Sequence, residues 1–375
     1  RLLMEGCGAG PAENGLYVAY ARLGEVLTKI GTINRWSRMS RISIRLKTIA
    51  TAVNLLFPKG KWRPLEIFTR KPISEEHAIE SLGGRRLKTQ VWRRKGARKN
   101  SGSALIIYAP FLSSDDPRLI NLASTFARAG FVVVVPWHAE GPYIFDLREV
   151  DDIVSTVLFL RDNPSLGIEY FGLFGISASN GPVMAAAADP RIRELLSFII
   201  SFAGYYRVEN VIQFIMTGQY SYKEIKGEIV PDSYTREILN KALDYLDCDE
   251  ESLLTGPKFE NLRKVLSPSS FLDQLKAECF IIHSTDDPMI PYTESLRLAD
   301  ELKGRVPVYL NLVDVFEHGA YKKIDFRNIR RHYLPNLVEF YKFLSVLLSN
   351  WGDRRWLSKS SEEARMGSGK EGYRR

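Results

Sequence analysis

Gly172-Leu-Phe-Gly-Ile-Ser-Ala-Ser-Asn-Gly181 decides how this 375-residue chain is read. Its apolar first half predicts a buried strand; its small, polar second half predicts a sharp turn that carries Ser177 and opens into a helix. A serine hydroxyl is a weak nucleophile at neutral pH. Chemistry at Ser177 therefore needs a base within reach and N–H donors for the oxyanion formed on attack at a carbonyl. A strand-turn-helix elbow supplies part of both: it exposes the hydroxyl and aims the next N–H, that of Ala178, at the developing charge from a helix N-terminus. Strand and helix backbones nearly touch in such a turn, so small residues are needed on either side. Gly175 stands two positions before Ser177 and Ser179 two positions after it. Taken alone, the ten residues describe a Gly/Ser-rich turn after a buried strand equally well.

Partners for the serine lie far along the chain. Cys279-Phe-Ile-Ile-His283 is a short apolar run that predicts a buried strand, and residues 284–291 follow as a polar, proline-stopped loop. A helix and a strand later, the apolar run Pro307 to Val313 leads into Asp314-Val-Phe-Glu-His318-Gly319. An acid after one strand and a histidine after the next, in the order Ser, Asp, His, resembles the α/β-hydrolase superfamily over most of the chain. The resemblance points to its serine-esterase, dienelactone-hydrolase-like or prolyl-oligopeptidase-like branches. It implies an α/β fold: a mostly parallel twisted sheet with helices on both faces and a helical cap insertion.

The resemblance also assigns roles. Ser177 becomes the nucleophile, with Ser179 a departure from the family's G-x-S-x-G. In the family pattern His-Gly-x-x-Asp-x-x-Val-Pro the acid lies four residues after the histidine and four before the proline. His283 and Pro291 place Asp287 there, leaving Asp286 to solvent or to a turn cap and Asp314 as a more distant candidate. His318, followed by Gly319, becomes the base. His283 then reads as a strand-end residue and His332 as exposed. Where relatives carry His-Gly ahead of the second oxyanion donor, this chain has Ala109-Pro110. Proline has no N–H, so the donor falls to Phe111 or Leu112, and aligning Ala109-Pro110 with His-Gly selects Phe111.

The resemblance therefore implies a serine hydrolase that cleaves carboxylic esters through an acyl-enzyme, with a small-molecule ester as substrate and neither cofactor nor metal. Acyl transfer and peptide hydrolysis use the same machinery, and a non-catalytic ligand-binding member of the fold is the alternative from another class.

Composition sets the boundaries. Hydrophobic content of 45% and charged content of 26% are those of an ordinary globular protein. No apolar run approaches the roughly 20 residues that cross a bilayer, and the opening residues lack a signal-peptide pattern. Cys7, Cys248 and Cys279 are widely separated with no metal spacing, which predicts a reducing, cytoplasmic setting without disulfides. The net charge of +8 is unevenly spread: residues 1–100 hold 21 Lys/Arg against 7 Asp/Glu, whereas residues 101–350 hold 24 against 33. Basicity belongs to the ends of the chain.

We expect three regions. Residues 1–75 form a basic, mainly helical extension, with Gly-rich residues 1–14 disordered and Met4 a candidate start unless the chain is a fragment. Residues 76–350 form the catalytic domain, its cap insertion at about 205–271 rich in aromatics and lying over the serine or away from the pocket. Residues 351–375 form a disordered tail. In the extension, Ile42, Leu46, Ile49, Ala50, Val53, Leu56 and Phe57 recur at helical spacing, accompanied by Arg35, Arg38, Arg41, Arg45 and Lys47. This stripe packs on the hydrolase body, roofs its pocket, or lies on an anionic membrane, the last giving peripheral contact through residues 16–57. The cluster Arg93, Arg94, Lys95, Arg98 and Lys99 reads as a solvated loop, so no nucleic-acid partner is expected. His138 and Glu140, after the apolar run Phe131 to Pro136, are candidates to line the pocket. Oligomeric state is not encoded in any of these features.

Overall fold

The structure is a computed structural model that describes residues 35–56, 63–95, 102–138, 148–231, 233–313, 316–317, 320–321 and 334–352. Eight strands form one sheet in the order β1-β2-β4-β3-β5-β6-β9-β10. The strands are β1 (Ile73–Glu80), β2 (Arg86–Arg93), β3 (Gly102–Tyr108), β4 (Val132–His138), β5 (Ile168–Ile176), β6 (Leu196–Phe202), β9 (Glu278–Ser284) and β10 (Val308–Val313). β1 and β2 are an antiparallel hairpin whose turn uses Gly84 at φ 76°, a conformation that favours glycine. β2 also runs antiparallel to β4, and every later pairing is parallel. β1 begins at Ile73, so the sheet reaches back into the segment expected to be an extension.

The central strands are continuous apolar runs because both faces are covered. On one face, α4 (Glu149–Arg161), α5 (Asn180–Ala188) and α10 (Thr293–Leu302) bury Ile153, Val157, Met184 and Leu298 against Ile106, Leu173 and Ile199. On the other, α1 (Arg35–Leu56), α3 (Pro117–Ala129) and α11 (Leu334–Trp351) bury Leu55, Phe126, Phe340 and Leu344 against Phe198, Ile200 and Phe280. Each fully buried side chain of this size stabilises the fold by about 1.5–3 kcal/mol.

Between β6 and β9 the chain builds a smaller body with its own core. It contains α6 (Val208–Thr217), a hairpin of β7 (Gln219–Tyr222) and β8 (Ile225–Glu228), α7 (Ser233–Leu246), α8 (Glu250–Leu253) and α9 (Pro257–Leu266). Val208, Ile212, Leu239, Leu253 and Phe259 pack together there with Tyr205 and Ile290. Short strands β11 (Phe316–Glu317) and β12 (Ala320–Tyr321) follow β10.

The N-terminal helix departs from its sequence pattern. Packing on the body uses Thr48, Thr51, Ala52 and Leu55, all buried, at i, i+3, i+4 and i+7. Of the apolar stripe, Leu56 is buried, but Leu46 and Ile49 are 62% and 49% exposed. Ala50 and Val53 are half-buried, so the helix packs on the body through part of the stripe while Leu46 and Ile49 stay outside the contact.

Candidate active site

In open α/β sheets the ligand crevice lies outside the C-terminal ends of the strands. The register shows what gathers there. Ile176 of β5 pairs with Phe202 of β6, Phe202 with Ile282 of β9, and Ile282 with Asn311 of β10. Ser177 stands one residue beyond this line, Asp287 five beyond it, and the segment holding His318 begins just after β10. β5 and β9 are separated by a single strand, a distance of about 10 Å.

Ser177 adopts φ 54°, one of four described non-glycine residues with positive φ. It starts a single 3-10 turn, residues 177–179, that runs directly into α5. A side chain in this region is strained and persists only where its surroundings over-determine it. Here they do. A Cβ on Gly175 would lie 2.9 Å from Asn180 Oδ1 and 3.0 Å from Asn180 Cα, so only glycine lets helix and strand approach so closely. Ser179, 2% exposed, closes the turn: Ile176 N–H donates to its hydroxyl oxygen at 2.9 Å. That hydroxyl lies 2.6 Å from the Tyr108 carbonyl oxygen and 2.8 Å from that of Ile176. The serine that departs from the glycine pattern thus ties the elbow to the neighbouring strand β3. Tyr205 adds a second tie from the insertion, donating its hydroxyl to Ala178 O at 3.3 Å. Burial pushes the Tyr205 phenol well above its ordinary value, so it remains a donor.

After β3, Leu112 N–H donates to Ala109 O at 3.0 Å, which consumes one of the two N–H groups weighed from sequence. Phe111, half-buried, is the other.

Asp287 is buried, and its Oδ1 accepts the N–H groups of Met289 (2.8 Å) and Ile290 (3.0 Å). Its Oδ2 lies 3.6 Å from His283 Nε2. The His283 ring is buried at the end of β9, with Nε2 2.9 Å from Ile290 O and Nδ1 2.7 Å from the Ser295 hydroxyl. Asp286 is exposed and accepts the Ser284 hydroxyl at 2.6 Å. His318, Asp314, Glu140 and His332 lie outside the described residues.

His138 is part of β4 and buried. Tyr108 hydroxyl approaches its Nε2 at 3.4 Å, and Asp152 Oδ2 lies 3.5 Å from its Nδ1. Arg85 makes a buried ion pair with the same aspartate. Sequence reasoning missed this network because its members are scattered over four elements.

The insertion rests on the elbow helix and the acid loop. A Cβ on Gly181 would meet Leu266 O and the Tyr205 hydroxyl, each at 2.4 Å. Glu294, buried in α10, accepts Tyr206 N–H (3.2 Å), Arg207 N–H (3.0 Å) and the Asn210 amide (2.9 Å). An open polar groove of about 660 Å³ runs between the β7–β8 hairpin and α10. Its lining includes Lys226, Glu294 and Arg297 but not Ser177, Ala178 or Phe111.

Known structures share this architecture. An acylaminoacyl peptidase of Pyrococcus horikoshii superposes with a TM-score of 0.52 at 16% identity, covering 78% of this chain and 44% of the peptidase. An esterase of Pyrococcus furiosus gives 0.50 at 14% identity, covering 78% of this chain and 95% of the esterase. Brefeldin A esterase, described as a bacterial homologue of human hormone-sensitive lipase, gives 0.50 at 17% identity over 83% and 85% of the two chains. The chain thus spans under half the length of the peptidase. No protein-family model and no curated protein matches it by sequence. At these identities the likeness establishes the fold, which is that of the α/β-hydrolases.

Proposed function

We propose that the chain is a serine hydrolase that cleaves carboxylic esters through an acyl-enzyme, with Ser177 as nucleophile, His318 as base and Asp287 as the acid that orients it. The observation that carries this reading is the left-handed backbone of Ser177, a non-glycine residue held at φ 54° where β5 turns into a helix at the ligand-binding edge of the sheet. Strain of this kind is retained where a hydroxyl must be presented.

In the proposed reaction the Ser177 Oγ bonds to the ester carbonyl carbon as its proton passes to the His318 imidazole. The carbonyl oxygen becomes an oxyanion held by the N–H groups of Ala178 and Phe111. Collapse of the tetrahedral intermediate breaks the bond to the alcohol, which leaves with the proton from His318. Water then repeats the sequence and releases the carboxylic acid. Asp287 fixes the imidazole tautomer and stabilises the imidazolium.

A fluorophosphonate probe is expected to label Ser177 in the wild-type protein and to label neither Ser177→Ala nor, at any comparable rate, His318→Ala. Turnover of p-nitrophenyl esters is expected to fall by roughly 10⁴-fold or more in both variants. An unlabelled wild-type protein would sink the catalytic reading and favour a ligand-binding role. The likeness to a peptidase supports a second reading, amide cleavage on the same machinery, and hydrolysis of acylaminoacyl p-nitroanilides faster than of esters would select it.

A further inference from the structure

We infer that the outward face of α1, with the exposed end of α2 (Pro64–Phe68), docks the protein on an anionic lipid surface. Leu46 and Ile49 occupy one turn of α1 and are 62% and 49% exposed, with Ala50 and Val53 half-buried beside them. The neighbouring helix α2 ends in Ile67 and Phe68, 67% and 81% exposed. Exposed apolar residues scattered singly are ordinary, whereas here they come as two pairs on helices joined through Asn54 and Leu65.

The opposite side of α1 explains why this face is left over. Thr48 and Thr51 are buried because each hydroxyl donates within the helix, to Ile44 O at 2.9 Å and Lys47 O at 2.8 Å. Asn54 is buried because its Oδ1 accepts Leu65 N–H at 3.1 Å, which joins α1 to α2. Arg128 of α3 secures α2 in turn, donating to Thr69 O at 2.8 Å and Arg70 O at 3.2 Å. With its body-facing side completed by Thr, Asn, Ala and Leu, the helix holds Leu46 and Ile49 outward on a fixed mount.

Charge selects the occupant. Residues 35–71 carry ten Lys/Arg and a single acid, Glu66. Arg45 is exposed beside Leu46, and Arg70 and Lys71 are exposed just after Phe68. A second copy meeting this face with its own would oppose like charges, whereas anionic headgroups complement it while the acyl boundary takes up the apolar side chains. Among the described residues no helix is long and apolar enough to cross a membrane, so the attachment is peripheral. It is independent of the chemistry at Ser177.

The test is sedimentation of the full chain with vesicles of phosphatidylcholine alone or with about 30% phosphatidylglycerol. Binding is expected only to the anionic vesicles and is expected to weaken as salt is raised. Leu46→Ser/Ile49→Ser and Ile67→Ser/Phe68→Ser are each expected to lower the apparent affinity by roughly tenfold with unchanged thermal melting. Arg70→Gln/Lys71→Gln is expected to weaken binding and flatten its salt dependence. The inference fails if the wild-type protein ignores anionic vesicles. It also fails if both double-serine variants bind like wild type, since the basic segments alone then suffice. A concentration-dependent dimer abolished by the same substitutions, without vesicle binding, would instead assign the face to a second copy of the chain.

Discussion

The turns that carry Ser177 and Asp287 leave the same edge of one sheet, yet they are held in opposite ways. The elbow is fixed by close approach: Ser177 at φ 54°, a Gly175 that no other residue could replace without displacing Asn180, and a buried Ser179 hydroxyl between two strands. The acid loop has no positive φ. It is fixed by hydrogen bonds from Met289 and Ile290 N–H to Asp287 and by the contacts of the His283 ring nitrogens with Ile290 O and the Ser295 hydroxyl. Of the two turns, only the one at Ser177 carries a strained residue, and Asp287 is held by ordinary hydrogen bonds. The difference predicts that the acid loop tolerates a change of charge without a change of shape, whereas the elbow does not tolerate loss of a single polar atom.

The strongest way to break the comparison is Asp287→Asn. The amide oxygen can still accept from Met289 and Ile290, so melting is expected to shift little while kcat/KM for esters falls by roughly 10³–10⁴-fold. Retained activity would remove Asp287 from the proposed triad, and a collapsed melting temperature would show that the loop depends on the charge. A smaller effect is expected from Ser179→Ala. It leaves the Ile176 N–H without its acceptor and removes the one hydroxyl proton that the Tyr108 and Ile176 carbonyls share, a loss of about 1–3 kcal/mol in denaturant unfolding together with reduced turnover. Ser179→Gly restores the family pattern but not the tie to β3. If it matched wild type in both measurements, the serine would be incidental to the elbow.

The smallest effect concerns how the insertion is fastened beside the acid loop. Burial raises the Glu294 carboxyl above its ordinary 4.5, outweighing the backbone and Asn210 donors that favour its charged form. The folded protein therefore binds more protons than the unfolded chain between 4.5 and the raised value. Stability contributed by this group is present below that window and declines as pH rises through it. Glu294→Gln removes the titration, so its melting temperature is expected to gain on that of wild type as pH rises from 4.5 through the raised value. A gap that is constant with pH would mean that the group titrates normally.

Much of the sheet was legible from sequence because buried parallel strands are apolar on both sides. The runs at 131–136 and 279–283 each became a central strand. The elbow was legible in position, though the use of Ser179 was not: a serine replacing a glycine looks like a defect until the Tyr108 carbonyl, 71 residues away, is beside it. The His138, Asp152 and Arg85 network was invisible for the same reason, since its members meet only when the β1–β2 turn, β4 and α4 pack. The N-terminal helix misled in a third way. Its apolar stripe reaches the body only in part, through Leu56, and the buried side adds Thr48, Thr51 and Asn54 to Ala52 and Leu55, their polarity hidden by local hydrogen bonds.

By itself, the sequence determined which segments are apolar enough to be strands, where the chain must turn, and the order in which a hydroxyl, an acid and a histidine follow those strands. Those properties are local, set by side-chain period and by the few residues that permit a sharp turn. Only the tertiary structure decided which face of α1 is buried, what the Ser179 hydroxyl touches and where the insertion rests. Each of those depends on pairing polar groups across long stretches of chain, and a buried polar group is tolerated only where a distant partner meets it.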